Sequence, residues 1–265
     1  MKVLCIGDVV GKSGRQILVD LLPSLRQEFD LDAIIANVEN AAGGSGLTAR
    51  IAKHFFYIGC DVLTLGDHVW DQKEIEKYLD TRSDVIRAAN FPPEVPGCGW
   101  CVKELLSGKK IGVICLLGRV FMKYNLDCPF KTLEAVVERV KQETNIIIVD
   151  FHAETTSEKV AMGWHADGKV SAVVGTHTHI QTADEKILPQ GTAYITDLGM
   201  TGPYDSIIGQ IKENIVRRFL TSMPVKFQVA KEGSELHGVV IDIDEETGNA
   251  VDIIRVQRKK ENANG

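Results

Sequence analysis

Short apolar runs alternate with stretches whose apolar positions recur at helical spacing along most of this chain, the pattern of an α/β protein. A buried strand is predicted over residues 2–7. Behind it Ile17, Leu18, Leu21, Leu22 and Leu25 fall on one helical face. Pro23 is expected to end or kink that helix, because proline lacks the backbone donor and crowds the preceding turn. A second strand follows over 33–38, then a glycine-rich loop over 42–46. Leu47, Ile51, Phe55 and Ile58 mark a second helix, and 61–65 a third strand. Asp71 with Glu74 three residues on predicts a capped helix running to about Leu79.

The stretch 91–99 is rich in Pro and Gly and reads as a loop. Strands are predicted over 100–105 and 111–117, a helix over 131–143, and strands over 146–151 and 170–174. The 146–151 run is so apolar that both of its faces must be covered. A strand over 193–196, a loop over 199–203 and a helix over 210–220 come next. The runs 225–230, 236–243 and 251–256, joined by Gly-containing turns, read as antiparallel strands. The first half thus looks parallel and the end antiparallel. No internal repeat is evident, so one domain is expected over 1–258, with 259–265 as a flexible tail.

Composition narrows the class. The 265 residues are 44% hydrophobic, ample for a substantial core, and carry a formal net charge of -6. That charge argues against a stable nucleic-acid complex, which needs clustered Lys and Arg, but leaves room for a small anionic substrate if metal ions supply positive charge. The apolar run at the start is too short for a secretory signal, and no membrane span is expected. Cysteines at 5, 60, 98, 101, 115 and 128, three of them inside apolar runs, read as reduced thiols of a cytoplasmic protein. Gly7 to Ser13 resembles a P-loop, but only three residues separate Gly7 from Gly11 where that motif needs four. Cys98-Gly99-Trp100-Cys101 lacks a second pair and reads as a plain loop; His54, His165 and His237 lack motif context.

The chemistry stands at the strand ends. Gly7-Asp8, Val38-Glu39-Asn40, Gly66-Asp67-His68, Asp150-Phe151-His152 and Gly175-Thr176-His177-Thr178-His179 each follow or close an apolar run. Ligands of open α/β sheets bind at the carboxyl ends of the strands, and five strands deliver carboxylate, amide or imidazole there. Singly, Asp8 or Asp67 would be a cap and His152 a packed histidine; capping does not explain histidine at three of these sites. Carboxylates, an amide and imidazoles without thiolate suit Mn, Fe or Zn, and so many ligands suit two metals sharing a bridge. Arg87 and Asn90, ahead of the Pro-rich loop, would contact a substrate phosphate if that loop folds over the site.

These motifs, from Gly7-Asp8-Val9-Val10-Gly11 through Gly66-Asp67-His68-Val69-Trp70-Asp71 to the His177/His179 turn, resemble the calcineurin-like metallophosphoesterases. More narrowly they resemble the bacterial YmdB-like branch of cyclic-nucleotide phosphodiesterases. The resemblance spans nearly the whole chain. It implies a sandwich of two mixed β-sheets flanked by helices, with Asp8, Glu39, Asn40 and His179 around one metal. Glu39, Asp67, His152 and His177 would surround the other, with Glu39 bridging. It also implies Fe or Mn, with Zn as an alternative, His68 as general acid, and a small phosphodiester such as 2',3'-cyclic AMP opened by a metal-bridging hydroxide. A homo-oligomer is plausible on the same ground. Two residues depart from the wider superfamily: Val10 stands where histidine is usual, as in the narrower branch, and Asp67 replaces the usual asparagine. Asp67 keeps a ligand oxygen but loses an amide donor and adds negative charge beside an anion. The alternative is therefore a metal- and nucleotide-binding regulator with little turnover.

Overall fold

The computed structural model of the protein describes residues 1–259. Its elements begin β1 (Lys2–Ile6), β2 (Asp8–Val9), α1 (Gly11–Phe29), β3 (Ala33–Asn37), α2 (Ala49–Tyr57), β4 (Val62–Thr64), α3 (Ile75–Leu79) and β5 (Val85–Ile86). There follow β6 (Trp100–Glu104), β7 (Lys110–Leu117), α4 (Pro129–Val140), β8 (Ile147–His152), α5 (Thr156–Ala166) and β9 (Ala172–Thr176). The chain continues through β10 (Lys186–Ile187), β11 (Ala193–Ile195), β12 (Met200–Pro203), α6 (Lys212–Thr221), β13 (Ser234–Ile243) and β14 (Ala250–Lys259). The tail expected over 259–265 lies outside the described residues except for Lys259, which closes β14.

Among the described residues, one sheet has the order β2-β12-β13-β1-β3-β4-β5 with β14 on β13, and the other β10-β11-β9-β8-β7-β6. Both are mixed. In the first, β1, β3, β4 and β5 run parallel and β13 antiparallel to β1; in the second, β7, β8, β9 and β11 run parallel between antiparallel edges. Period-two alternation sets the layers. Ile111, Val113, Cys115 and Leu117 of β7 join the core shared with the first sheet, whereas Ile114 and Leu116 join the layer under α4 and α5. On β8, Ile148 faces the shared core while Ile147, Val149 and Phe151 face the helices. Asp150 and His152 have the parity of Ile148, so where the apolar layer ends they continue it as polar residues.

Several expectations change. Pro23 does not end α1, which runs on to Phe29: it lies on the exposed side, where the carbonyl it leaves unpaired can meet water, while Leu18, Leu22 and Leu25 stay buried. The Asp71/Glu74 cap does not form; α3 starts at Ile75, Asp71 bonds His68, and Glu74 accepts from the Ala49 amide. The 199–203 segment is strand β12 rather than a loop, its backbone shared between β2 and β13. Residues 225–230 form no strand: beyond the Gln210–Val229 bridge they find no neighbouring strand and are largely exposed. Helix α5 was hidden because its buried face carries Glu158 and Lys159 as well as Met162, which blurs the apolar period.

Replacing Pro23 by Ala restores a backbone donor in an unbroken helix and should raise stability by about 1–3 kcal/mol, read as a higher urea midpoint at unchanged slope.

Candidate metal centre

Each functional side chain is placed by backbone the sheets hold. Asp8 sits on β2, fixed by its amide donating to the Gly199 carbonyl (3.1 Å) and by Val10 donating to Thr201 (2.9 Å). The approach is so close that a Cβ on Gly7 would stand 1.9 Å from the Gly199 oxygen. Glu39 is turned inward by an Asx turn in which its amide donates to Asn37 Oδ1 at 3.2 Å. Gly66 allows the convergence, since a Cβ there would lie 2.2 Å from Glu39 Oε2 and 2.3 Å from His152 Nε2. His177 and His179 follow β9 with φ of +100° and +66°, a left-handed backbone that non-glycine residues seldom adopt. A buried ion pair holds that turn: Lys159 Nζ donates to Asp197 Oδ2 (2.5 Å) and to the Thr176 carbonyl (2.7 Å), and Asp197 accepts from the Thr178 amide (3.2 Å).

Beneath the site lies a polar knot. The buried Asp150 carboxylate accepts from Thr64 Oγ1 (2.5 Å), Asn37 Nδ2 (3.0 Å) and Thr176 Oγ1 (2.7 Å). A hydroxyl has one proton, and Thr176 gives its proton to Asp150; Thr176 must therefore accept from His152 Nδ1, 2.9 Å away. That fixes the His152 tautomer and points the Nε2 lone pair at the cluster. The same logic applies to His179, whose Nδ1 donates to the Ile208 carbonyl at 3.0 Å.

Glu39, Asp67, His152 and His177 bring one ligand atom each to within 4.8 Å of one another. His152 Nε2 lies 3.3 Å from Glu39 Oε1, 3.3 Å from Asp67 Oδ1 and 3.0 Å from His177 Nδ1, while His177 Nε2 faces Glu154 Oε2 at 3.1 Å. Carboxylates and imidazole nitrogens aimed at one buried point need a positive charge between them, and the donor set of O and N suits a divalent cation. The charges record that demand. Burial opposes protonation of His152, but Glu39, Asp67 and Asp8 outweigh it and hold its pKa well above the usual imidazole range. Burial and the charge on His152 push His177 down to about 4. Asp67 resists burial through its hydrogen bond and attraction to His152 and lies well below the usual carboxylate range.

Asp8, Asn40 and His179 stand beside this group. Burial raises the Asp8 carboxyl to about 6, and its Oδ1 is buried with no hydrogen-bond partner, an orphaned oxygen of the kind a cation would satisfy. Asn40 turns its amide nitrogen to Glu39 Oε1 (3.0 Å) and His179 Nε2 (3.3 Å), so its oxygen meets a cation only after an amide flip. His68 packs alongside, its amide donating to Glu39 Oε2 at 3.1 Å and its Nδ1 2.7 Å from Asp71 Oδ2, which also accepts from Ser45. Burial lowers its pKa, but Glu39, Asp67 and Asp71 raise it above the ordinary imidazole value. A cleft of about 510 Å³ opens over Glu39, Asn40, His68, His177 and His179.

Arg87 and Asn90 are not brought to this cleft. The Arg87 guanidinium donates to the carbonyls of Ala88, Val95 and Pro96 and so fastens the Pro-rich loop, while Asn90 ties the end of β7 at Leu117 to Asp127 ahead of α4. Sequence reasoning missed the support around the cluster. Asp150 is signalled only by standing two residues before His152 on one strand face, and Asp71 by its i,i+3 spacing from His68. Lys159 reads as an ordinary surface lysine. Of the cysteines, Cys5, Cys60, Cys101 and Cys115 are buried and all six are free.

A sandwich of two mixed sheets, flanked by helices and gathering carboxylates and imidazoles at one edge, has the architecture of a metallophosphoesterase-type protein. A family model described as YmdB-like protein matches residues 4–256, and the chain belongs to that family. It is 49% identical over 256 residues to a 2',3'-cyclic-nucleotide 2'-phosphodiesterase of Bacillus subtilis, covering 97% of this chain and 96% of that protein. It is 37% identical to a putative phosphatase/phosphodiesterase of Mycoplasma genitalium, over 97% of this chain and 92% of that one. Among solved structures, a hypothetical protein from Thermus thermophilus superposes with a TM-score of 0.90 at 40% identity, covering 97% of this chain and 99% of the other. A novel phosphatase from Mycoplasma pneumoniae gives 0.91 at 36% identity, over 97% and 93%.

Asp150→Ala removes the acceptor that three buried donors share and should lower stability by about 3 kcal/mol in urea titration. Lys159→Met strands the Asp197 charge and should cost about 3–5 kcal/mol by the same measurement.

Proposed function

We propose that this protein is a metal-dependent phosphodiesterase of the cytoplasm that opens a cyclic nucleotide of the 2',3'-cyclic AMP type. The observation that carries the reading is the convergence of Glu39, Asp67, His152 and His177 on one point, with Asp8, Asn40 and His179 beside it and His68 on the rim of the same cleft. The activity named for the 49% identical relative supports the choice of substrate.

Glu39, Asp67, His152 and His177 would hold one metal ion and Asp8, Glu39, Asn40 and His179 a second, Fe or Mn in preference to Zn. Two bound metal ions supply positive charge for the phosphoryl oxygens and lower the pKa of the attacking water. The chain's own residues do the rest. His152 and His179 are locked in the tautomers that face Nε2 inward, and Glu39 lies between the two groups. His68 gives a proton from Nε2 to the leaving ribose oxygen, while Nδ1 keeps its hydrogen bond to Asp71; the surrounding carboxylates favour the protonated imidazole.

Metal-stripped protein reconstituted with Mn or Fe should hydrolyse 2',3'-cyclic AMP and bis(p-nitrophenyl) phosphate. His68→Ala should lose roughly 100- to 10,000-fold in kcat at unchanged metal content. Turnover without metal, or a fully active His68→Ala, would reject the reading. Asp67, a carboxylate where an amide is usual in the wider superfamily, favours one competitor, a metal- and nucleotide-binding regulator with little turnover. Asp67→Asn decides between them: a large gain in rate at constant metal content marks a disabled enzyme, and no gain marks a working one.

A further inference from the structure

The chemistry above leaves part of the cleft without a task. Its remaining walls include Val10, Ile208 and Phe227, an apolar surface in an otherwise polar pit, with the amide-bearing Gln210 among them. Phe227 is 54% exposed and Ile208 49%, large side chains left in water beside the imidazoles. Gln210 faces the same space, and its Oε1 is buried with no hydrogen-bond partner, which is costly for an amide unless a ligand supplies a donor.

This wall is held in place. Ile208 has φ of +45°, a strained value for a β-branched residue, and its carbonyl is the one that orients His179. The segments carrying Gln210 and Phe227 are tied by the Gln210–Val229 bridge, by Ile211 donating to Gln228 (2.9 Å) and by Ala230 donating to Gly209 (2.9 Å). Gly44 closes against them; a Cβ there would stand 2.5 Å from Val229. The Arg218 guanidinium lies 5.0 Å from the Phe227 ring centroid and supports the ring.

A fixed, exposed aromatic ring beside an unsatisfied amide oxygen asks for a planar ligand bearing an N–H donor. An amide offers an acceptor and donors in one plane, the complement of an amino-bearing base edge. We propose that Val10, Ile208, Gln210 and Phe227 form a nucleobase subsite in which Phe227 stacks the base and Gln210 accepts from its exocyclic amine, as in adenine. The subsite rests on the phosphodiesterase reading for what happens to the rest of the ligand. It explains how a site built for a phosphodiester would select a nucleotide.

The test compares 2',3'-cyclic AMP with 1-O-methylribose 2,3-cyclic phosphate, which has no base, and with the 2',3'-cyclic phosphate of purine riboside, which has no exocyclic amine. Phe227→Ala should raise KM for 2',3'-cyclic AMP about 10-fold, from lost stacking, and leave the base-free diester unchanged. Wild type should prefer 2',3'-cyclic AMP to the purine riboside analogue about 10-fold, a preference Gln210→Ala should erase. Equal losses on the base-free diester, or no loss on 2',3'-cyclic AMP, would overturn the subsite. Equilibrium binding of 3'-AMP and of inorganic phosphate separates the two claims. If no diester is turned over but Phe227→Ala still weakens 3'-AMP about 10-fold and spares phosphate, the hydrolytic reading fails and the subsite stands. Unchanged 3'-AMP binding in that variant would remove the subsite.

Discussion

Asp150 is the point at which the two sheets meet in register. Its carboxylate takes donors from β3 and β4 of one sheet and from β9 of the other, at the edge where the apolar layer between them runs out. An acceptor-only group buried among three donors is satisfied in few arrangements, so it fixes the lateral position of the sheets at that edge. Through Thr176 it also fixes the proton on His152 Nδ1. The orientation of the central imidazole thus depends on a group that never faces the cleft.

Above the knot the site concentrates charge that folding would otherwise avoid. Asp8, Glu39, Asp67 and His152 are buried together, with the imidazole ringed by the carboxylates. Left-handed backbone at His177, His179 and Ile208 adds strain of about 1–3 kcal/mol per residue. The surrounding structure sustains this: Lys159 and Asp197 brace the histidine turn, β12 braces Asp8, and the Ile208 carbonyl braces His179. Strain and buried charge at one edge, supported from every side, are what a centre shaped to receive cations requires.

The same edge divides the cleft into two chemistries. Imidazoles and carboxylates suit a phosphodiester once cations are present; Phe227, Ile208 and the Gln210 amide suit what a phosphodiester carries. Both halves hang on Ile208, whose carbonyl orients His179 and whose side chain lines the apolar wall. The orientation of the His179 ring and the shape of the apolar wall are therefore set by one residue.

Much was written locally in the chain. Apolar runs and helical spacing marked most of the strands and helices, and the order Asp8, Glu39, Asp67, His152, His177 at successive strand ends made the cluster legible, because strand termini in an α/β sheet share one edge. Elements whose identity depends on distant partners were not legible. Segment 199–203 has turn-like residues yet becomes a strand between β2 and β13, while 225–230 has strand-like residues yet finds almost no partner. Pro23 is tolerated because it faces solvent, and α5 is helical despite charges on its buried face because Glu158 and Lys159 find partners there. Arg87 and Asn90 carry phosphate-binding chemistry but are spent on backbone carbonyls. Residue type and spacing, then, determined which groups could gather; only the tertiary structure decided which of them had free atoms left, because hydrogen bonds and burial are settled by neighbours far apart in the chain.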